Sequence, residues 1–196
     1  MFRILLFLVI FMTPSLAAAG QTLFDAASTG DTAAITRLMD SGEPVDARAP
    51  DQATPLIAAA LAGQVEAAKL LIAKGADVMA RNSGGFTALH AAAYSGSAPV
   101  AILLLDNKAV LEDAANKAGA APMFVAAEMN HPDVVEMLIA KGSDVKRPES
   151  HGYSAMTRAF WKGNKDVVSL LKRHGLTCQQ DKLTADEYTL CLAIKE

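Results

Sequence analysis

Residues 54–78 read TPLIAAALAGQVEAAKLLIAKGADV, and this stretch decides the fold because variants of it recur along the chain in fixed register. Thr54 has the character of an N-cap. Pro55 suits the first helical position, where its missing N–H has no intrahelical partner to lose, and Leu56 is the first core residue. The helix stops at Gly63. A second helix, Val65 to Lys74, places Leu70 and Leu71 on one stripe, and Gly75 suits the left-handed turn that ends a helix at low steric cost. Asp77-Val78 then leads into a loop. One unit is therefore two short antiparallel helices and a connection.

Outward from this stretch, the central turn residue falls at Gly30, Gly63, Gly96, Asn130 and Gly163, with spacings of 33, 33, 34 and 33. A leading apolar residue recurs as Leu23, Leu56, Leu89, Met123 and Met156, and an alanine three residues later as Ala26, Ala59, Ala92, Ala126 and Ala159. Leu38, Leu71, Leu104, Leu138 and Leu171 share another column. Four residues further on stand Gly42, Gly75, Lys108, Gly142 and Gly175, with lysine as the exception. A period of this length over five units signals a solenoid. The alanine runs 58–60 and 91–93 let neighbouring first helices approach closely, while leucines of the second helices fill the outer layer. One unit cannot bury that surface alone, so stacking is obligatory. The expected architecture is all-α: five stacked helix-turn-helix units at about 21–48, 49–81, 82–115, 116–148 and 149–177, with interrepeat β-turn loops and a C-terminal cap at 178–196.

At the level of these motifs the chain resembles the ankyrin repeat family, whose unit runs through a turn, T-P-L-H-x-A-A, a glycine, a V-x-x-L-L helix and G-A-D-V. Thr54-Pro55-Leu56, Thr87-Ala88-Leu89-His90-Ala91-Ala92-Ala93 and Gly75-Ala76-Asp77-Val78 carry the likeness, with Gly142-Ser143-Asp144-Val145 as a near copy. It covers roughly residues 21 to 177 and is specific to fold. The resemblance implies a structural hydrogen bond from His90 to a loop. Departures are Lys108, one extra residue between Lys108 and Ala121, and Ala121-Pro122-Met123 in place of T-P-L. They predict a weakened junction between the third and fourth units.

Residues 1–19 read as an address label. Arg3 precedes an uncharged apolar run from Ile4 to Met12, then Pro14 and small residues ending in Ala17-Ala18-Ala19, the pattern of a secretory signal peptide. The run is short of the about 20 residues that span a bilayer, which makes a retained anchor the weaker reading. Cleavage is expected after Ala19, with Ser15-Leu16-Ala17 as a second site. No Asn-x-Ser/Thr sequon occurs, which favours a bacterial periplasm, with secretion as the alternative. The chain has 18 Lys+Arg against 21 Asp+Glu, and loss of Arg3 with the leader takes the net charge from −3 to −4. Nucleic-acid binding by bulk electrostatics is unsupported. A monomer, without membrane contact once the leader is removed, is expected.

The two cysteines, Cys178 and Cys191, follow the last unit. In an oxidising compartment such a pair becomes a disulfide. A redox-active pair or a metal site with His174 is the alternative, although the intervening 12 residues are unlike a CxxC motif. Thr184 and Glu187 have capping-box spacing, predicting a final helix from about Ala185 to Ile194. Tyr188, Leu192 and Ile194 would cover the open end of the stack.

Enzyme readings fare poorly: there is no G-x-S-x-G elbow, no HExxH and no glycine-rich phosphate loop, so no catalytic residue, cofactor or metal is assigned. His131, after the turn residue Asn130, reads as a solvent-facing loop residue. Recognition of another protein remains. The family resemblance implies that a partner meets the loop tips and the ends of the first helices. Read column by column these are Arg48, Asp51 and Leu61; Arg81, Ser83, Phe86, Tyr94 and Ser95; Glu128 and Met129; and His151, Tyr153, Trp161 and Lys162. Aromatic residues and arginine dominate binding hot spots. Tyr94 and Trp161 share a column, predicting one concave groove, whereas Phe86 suits packing on a neighbouring unit equally well. The expected function is an exported binding module, the alternative an inhibitor or stabilising factor for an exported enzyme, including in oxidative-stress defence by analogy with the family.

Overall fold

The computed structural model describes residues 21–195; the leader assigned to residues 1–19 lies outside them. Five helix pairs stack in sequence order: α1 (Leu23–Thr29) with α2 (Thr32–Asp40), α3 (Pro55–Leu61) with α4 (Val65–Ala73), α5 (Ala88–Ser95) with α6 (Ala98–Asp106), α7 (Pro122–Glu128) with α8 (Pro132–Ala140), and α9 (Ala155–Trp161) with α10 (Lys165–Arg173). A last helix, α11 (Ala185–Ala193), follows. Helices of seven to nine residues are marginal alone in water, so their stability comes from packing.

That packing is layered. The first helices α1, α3, α5, α7 and α9 stack tightly through alanine pairs, and Ala26, Ala59, Ala92, Ala126 and Ala159 are wholly buried. The second helices form the outer layer, with Leu71, Leu104, Leu138 and Leu171 wholly buried. Truncating any one of these leucines to alanine is worth about 2–5 kcal/mol. The buried apolar residues divide into two clusters. One runs from Leu23 to Leu104, the other is built mainly from the fourth and fifth repeats and the cap, and Leu105 and Met137 pack against both. The seam falls at the junction of the third and fourth repeats.

The loops carry their own ladder. Each folds into a turn closed by a backbone bond, as from Gln52 N–H to the Ala49 carbonyl and from Gly85 N–H to the Asn82 carbonyl. Neighbouring loops are tied by Ser83 N–H donating to the Asp51 carbonyl, Lys117 N–H to Gly84 and Ser150 N–H to Ala118. Lys108 takes the left-handed conformation of its glycine column, φ +71°, and Gln52 does so at a loop tip, φ +65°.

Across the junction expected to be weak, where the apolar core divides, a polar network ties the loops together. The inserted residue lies between Lys108 and Gly119. There Arg81 pairs with Asp113 at 2.9 Å, Asn116 Oδ1 accepts from the N–H of Ala118 and Ala120, and Asn116 Nδ2 donates to the Ala120 carbonyl. Burial alone would raise the Asp113 pKa, but the Arg81 hydrogen bond, the Ala115 N–H and the Arg81 charge together hold it below the usual carboxylate value.

At the other end Cys178 and Cys191 are disulfide-bonded, both buried. Thr184 and Glu187 form the expected capping box on α11. Tyr188 and Ile194 pack on the fifth repeat as expected, but Leu192 is 55 % exposed, and Leu183 and Cys191 fill the place assigned to it. The cause is helical phase: Cys191 must face inward to reach Cys178, which turns Leu190 and Leu192 outward. Lys172 of α10 caps this helix, donating to the carbonyls of Cys191 and Ile194 at 2.7 Å each.

Candidate functional site: an apolar groove along the first helices

The last turns of the first helices present one column of side chains: Ser28, Leu61, Tyr94, Glu128 and Trp161. Tight packing of the alanine-rich helices leaves no room for larger residues between them, so the larger groups stand out along this face. A groove of about 500 Å³ opens there over the first four repeats. Phe24, Ile57, Leu61, Phe86, Tyr94, Val125 and Met129 give it apolar walls, while Asp51, Asn82 and Glu128 add polar groups. Leu61 is 49 % and Tyr94 52 % exposed, which makes them the open apolar side chains of the wall. A concave, mainly apolar site of this volume with few polar groups is the usual form of a ligand groove.

His90 underlies the groove, 2 % exposed. Thr87 N–H donates to its Nδ1 at 3.2 Å, which places the proton on Nε2, and Nε2–H faces the carbonyls of Ala120 at 3.0 Å and Asp113 at 3.1 Å. Burial is the main cause that pulls its pKa below the usual histidine value; the Ala120 carbonyl and the Asp113 charge oppose it. The bond to the loop implied by the family pattern is present. Phe86 meets the His90 ring edge-on, 5.5 Å between centroids, so it packs within the third repeat and lines the groove at once.

The other anticipated positions divide into three settings. Arg48 and Arg81 serve the loop ladder: Arg48 Nη1 donates to the carbonyls of Gln52 and Arg81, both at 2.8 Å, and Arg81 Nη1 to Gly85 at 2.9 Å. Ser83 and Ser95 also make interrepeat bonds, Ser95 through Oγ to the Ala60 carbonyl. Met129 lines the groove. Tyr153 and Trp161 form an edge-on pair, 4.9 Å between centroids, with His151 stacked on Tyr153. Trp161 Nε1 donates to Glu187 of α11 at 3.2 Å, and Lys182 lies 5.7 Å from the Tyr153 ring. Trp161 thus shares a column with Tyr94 but turns to the cap and does not line the groove. Lys162 and Arg158 each lie 3.5 Å from Glu128. His131 departs from its assignment as a solvated loop residue, because Nε2–H donates to the Tyr94 carbonyl at 2.9 Å, across the repeat junction.

Phe24, Ile57, Asn82 and Val125 belong to the groove without having been singled out. The register contained the signal, since Val125 shares a column with Ala58 and Ala91 one turn before Leu61 and Tyr94. Among the described residues no group of three His, Cys, Asp or Glu side chains is placed to hold a metal, and no helix is long and apolar enough to cross a membrane.

Comparison with known proteins agrees with this repeat architecture. A family model described as "Ankyrin repeats (3 copies)" matches residues 23–113 and again 108–182. The chain is 36 % identical over 61 residues to "Ankyrin repeat and SAM domain-containing protein 6" of Mus musculus, and 34 % identical over 61 residues to the protein of that name in Rattus norvegicus. Each alignment covers 31 % of this chain and 7 % of the relative, so the chain spans only a small part of those proteins' length.

Proposed function

Because the chain belongs to the ankyrin-repeat family, whose repeats form protein–protein interaction modules, we propose that it is an exported, periplasmic binding protein that holds its partner in the concave groove. The observation that carries the reading is the exposure of Leu61 and Tyr94 on the wall of an apolar groove. Tyrosine is among the residue types that dominate interface hot spots, and an apolar neighbour such as Leu61 helps exclude water around it. The aromatic pair of the fifth repeat is a peripheral contact at most, since each ring is already engaged within the chain.

Crosslinking in native periplasm followed by mass spectrometry identifies the partner. Tyr94→Ala should then cost about 2 kcal/mol or more of binding, roughly thirtyfold in affinity, while Lys141→Ala on the outer layer costs little. Folded Tyr94→Ala and Leu61→Ala variants that bind as tightly as the parent would refute the groove. Export rests on the Arg3, apolar-run and Ala17-x-Ala19 pattern, and N-terminal sequencing of native protein should begin near Gly20. An intact Met1 in the cytoplasm would overturn it.

A further inference from the structure

Charge is unevenly distributed along the groove. The column Asp25, Ala58, Ala91, Val125 and Arg158 runs along the first helices, acidic in the first repeat, apolar through the next three and cationic in the fifth. Its neighbours repeat the trend. Asp51, on the loop side of the second repeat, is exposed, its Oδ1 takes only the Ala53 N–H at 3.1 Å, and no cation pairs with it among the described residues. Arg48, three residues earlier, is turned to the loop carbonyls. In the fifth repeat Arg158 and Lys162 both flank the one groove-lining carboxylate there, Glu128, at 3.5 Å each, with Arg158 also over the Phe124 ring, so two cations meet one carboxylate at that end of the groove. Stacked helices stand about 8–10 Å apart, so the apolar stretch between the charged ends is roughly 20 Å long.

Resting on the reading that the groove holds a polypeptide, we infer that its occupant is a charge-polarised segment: a Lys or Arg at the end that meets Asp51, an apolar centre over Leu61 and Tyr94, and a carboxylate at the end that meets Arg158 and Lys162. A segment with the opposite polarity would bring like charges together while water is expelled, and such juxtapositions select orientation and partner more than they set raw affinity. An apolar stretch of roughly 20 Å corresponds to about six residues if the segment is extended.

The test selects a displayed library of random 16-residue peptides on the natively processed protein. Enriched peptides should carry a basic residue on one side of an apolar core and an acidic residue on the other. One such peptide, made synthetically, should bind at least tenfold more tightly than its charge-mirrored counterpart at low ionic strength, with the gap narrowing in high salt. In the double variant Asp51→Lys, Lys162→Glu the preference should reverse. Peptide and mirror binding equally, while Leu61→Ala and Tyr94→Ala weaken both, would overturn the charge inference and leave the groove standing. Enrichment that ignores Leu61→Ala and Tyr94→Ala would overturn the groove reading, and this inference with it.

Discussion

Acidification to pH 5.5 should destabilise the protein through one group, His90. In the folded state its Nδ1 accepts from the Thr87 N–H and its Nε2–H serves two carbonyls, so a second proton, on Nδ1, would face the Thr87 N–H and find an acceptor only in the Thr87 Oγ1, 2.9 Å away. Burial accordingly holds the folded pKa below the ordinary value of about 6.5, which the unfolded chain retains. The unfolded state therefore binds more protons as pH falls below about 6.5, and stability declines until the native imidazole itself titrates. If the ring stays neutral when folded, the loss between pH 7.5 and 5.5 is about 1.4 kcal/mol. The carboxylates with lowered pKa, Asp25, Asp113, Glu149 and Glu187, act in a separate window. Their contribution is present above the ordinary carboxylate range and lost only below about pH 4. Urea titrations followed by circular dichroism at the two pH values measure the effect. His90→Gln should lower stability at pH 7.5 and flatten the dependence between the two. If that variant is as pH-sensitive as the parent, the histidine is not the group responsible.

Arg81→Ala should destabilise by about 3 kcal/mol in urea, because it leaves the buried Asp113 carboxylate without its cation as well as releasing the Gly85 carbonyl; a loss under about 0.5 kcal/mol would return Arg81 to the surface role first assigned to it. Lys108→Gly and Gln52→Gly should each raise stability, by about 1 kcal/mol, because both residues hold a left-handed backbone that costs a side-chain-bearing residue; a lower melting temperature for either would show that its side chain contributes more than the strain. Reduction of Cys178–Cys191 should cost about 3 kcal/mol on the loop-entropy model for a separation of 13 residues, and speed amide exchange in α11 while α3 and α5 keep their protection; loss of protection throughout would mean the cap holds the whole stack.

The helices and their order were legible because each column carries a backbone or packing demand. Asn130 and Lys108 fall in left-handed columns and adopt φ +62° and +71° without being glycine, so register predicts conformation even where the residue type does not. Thr184 and Glu187 announced α11 through local spacing alone. The groove was only half legible. Tyr94 and Trp161 occupy equivalent backbone positions, but the cap brings Glu187 to the Trp161 indole, a contact between residues 26 apart that no repeat column encodes. The polar network at the third-to-fourth junction was illegible for a similar reason. A missing glycine and an extra residue are visible in the chain, whereas the closure of Asp113, Asn116 and Arg81 around His90 depends on the three-dimensional path of the loop.

The seam between the two buried clusters gives the groove a second meaning. Phe24, Leu61 and Tyr94 stand on one side of it, Val125, Glu128 and Met129 on the other, with Leu105 and Met137 spanning the layer behind. In a quasi-one-dimensional stack such a boundary is where the chain parts first. A segment lying along the groove bridges that boundary from the front, so it acts as a splint: each half is tied to the other through the guest as well as through the seam. The energy that separates the two halves then rises with occupancy, and by the same linkage anything that opens the seam releases the guest.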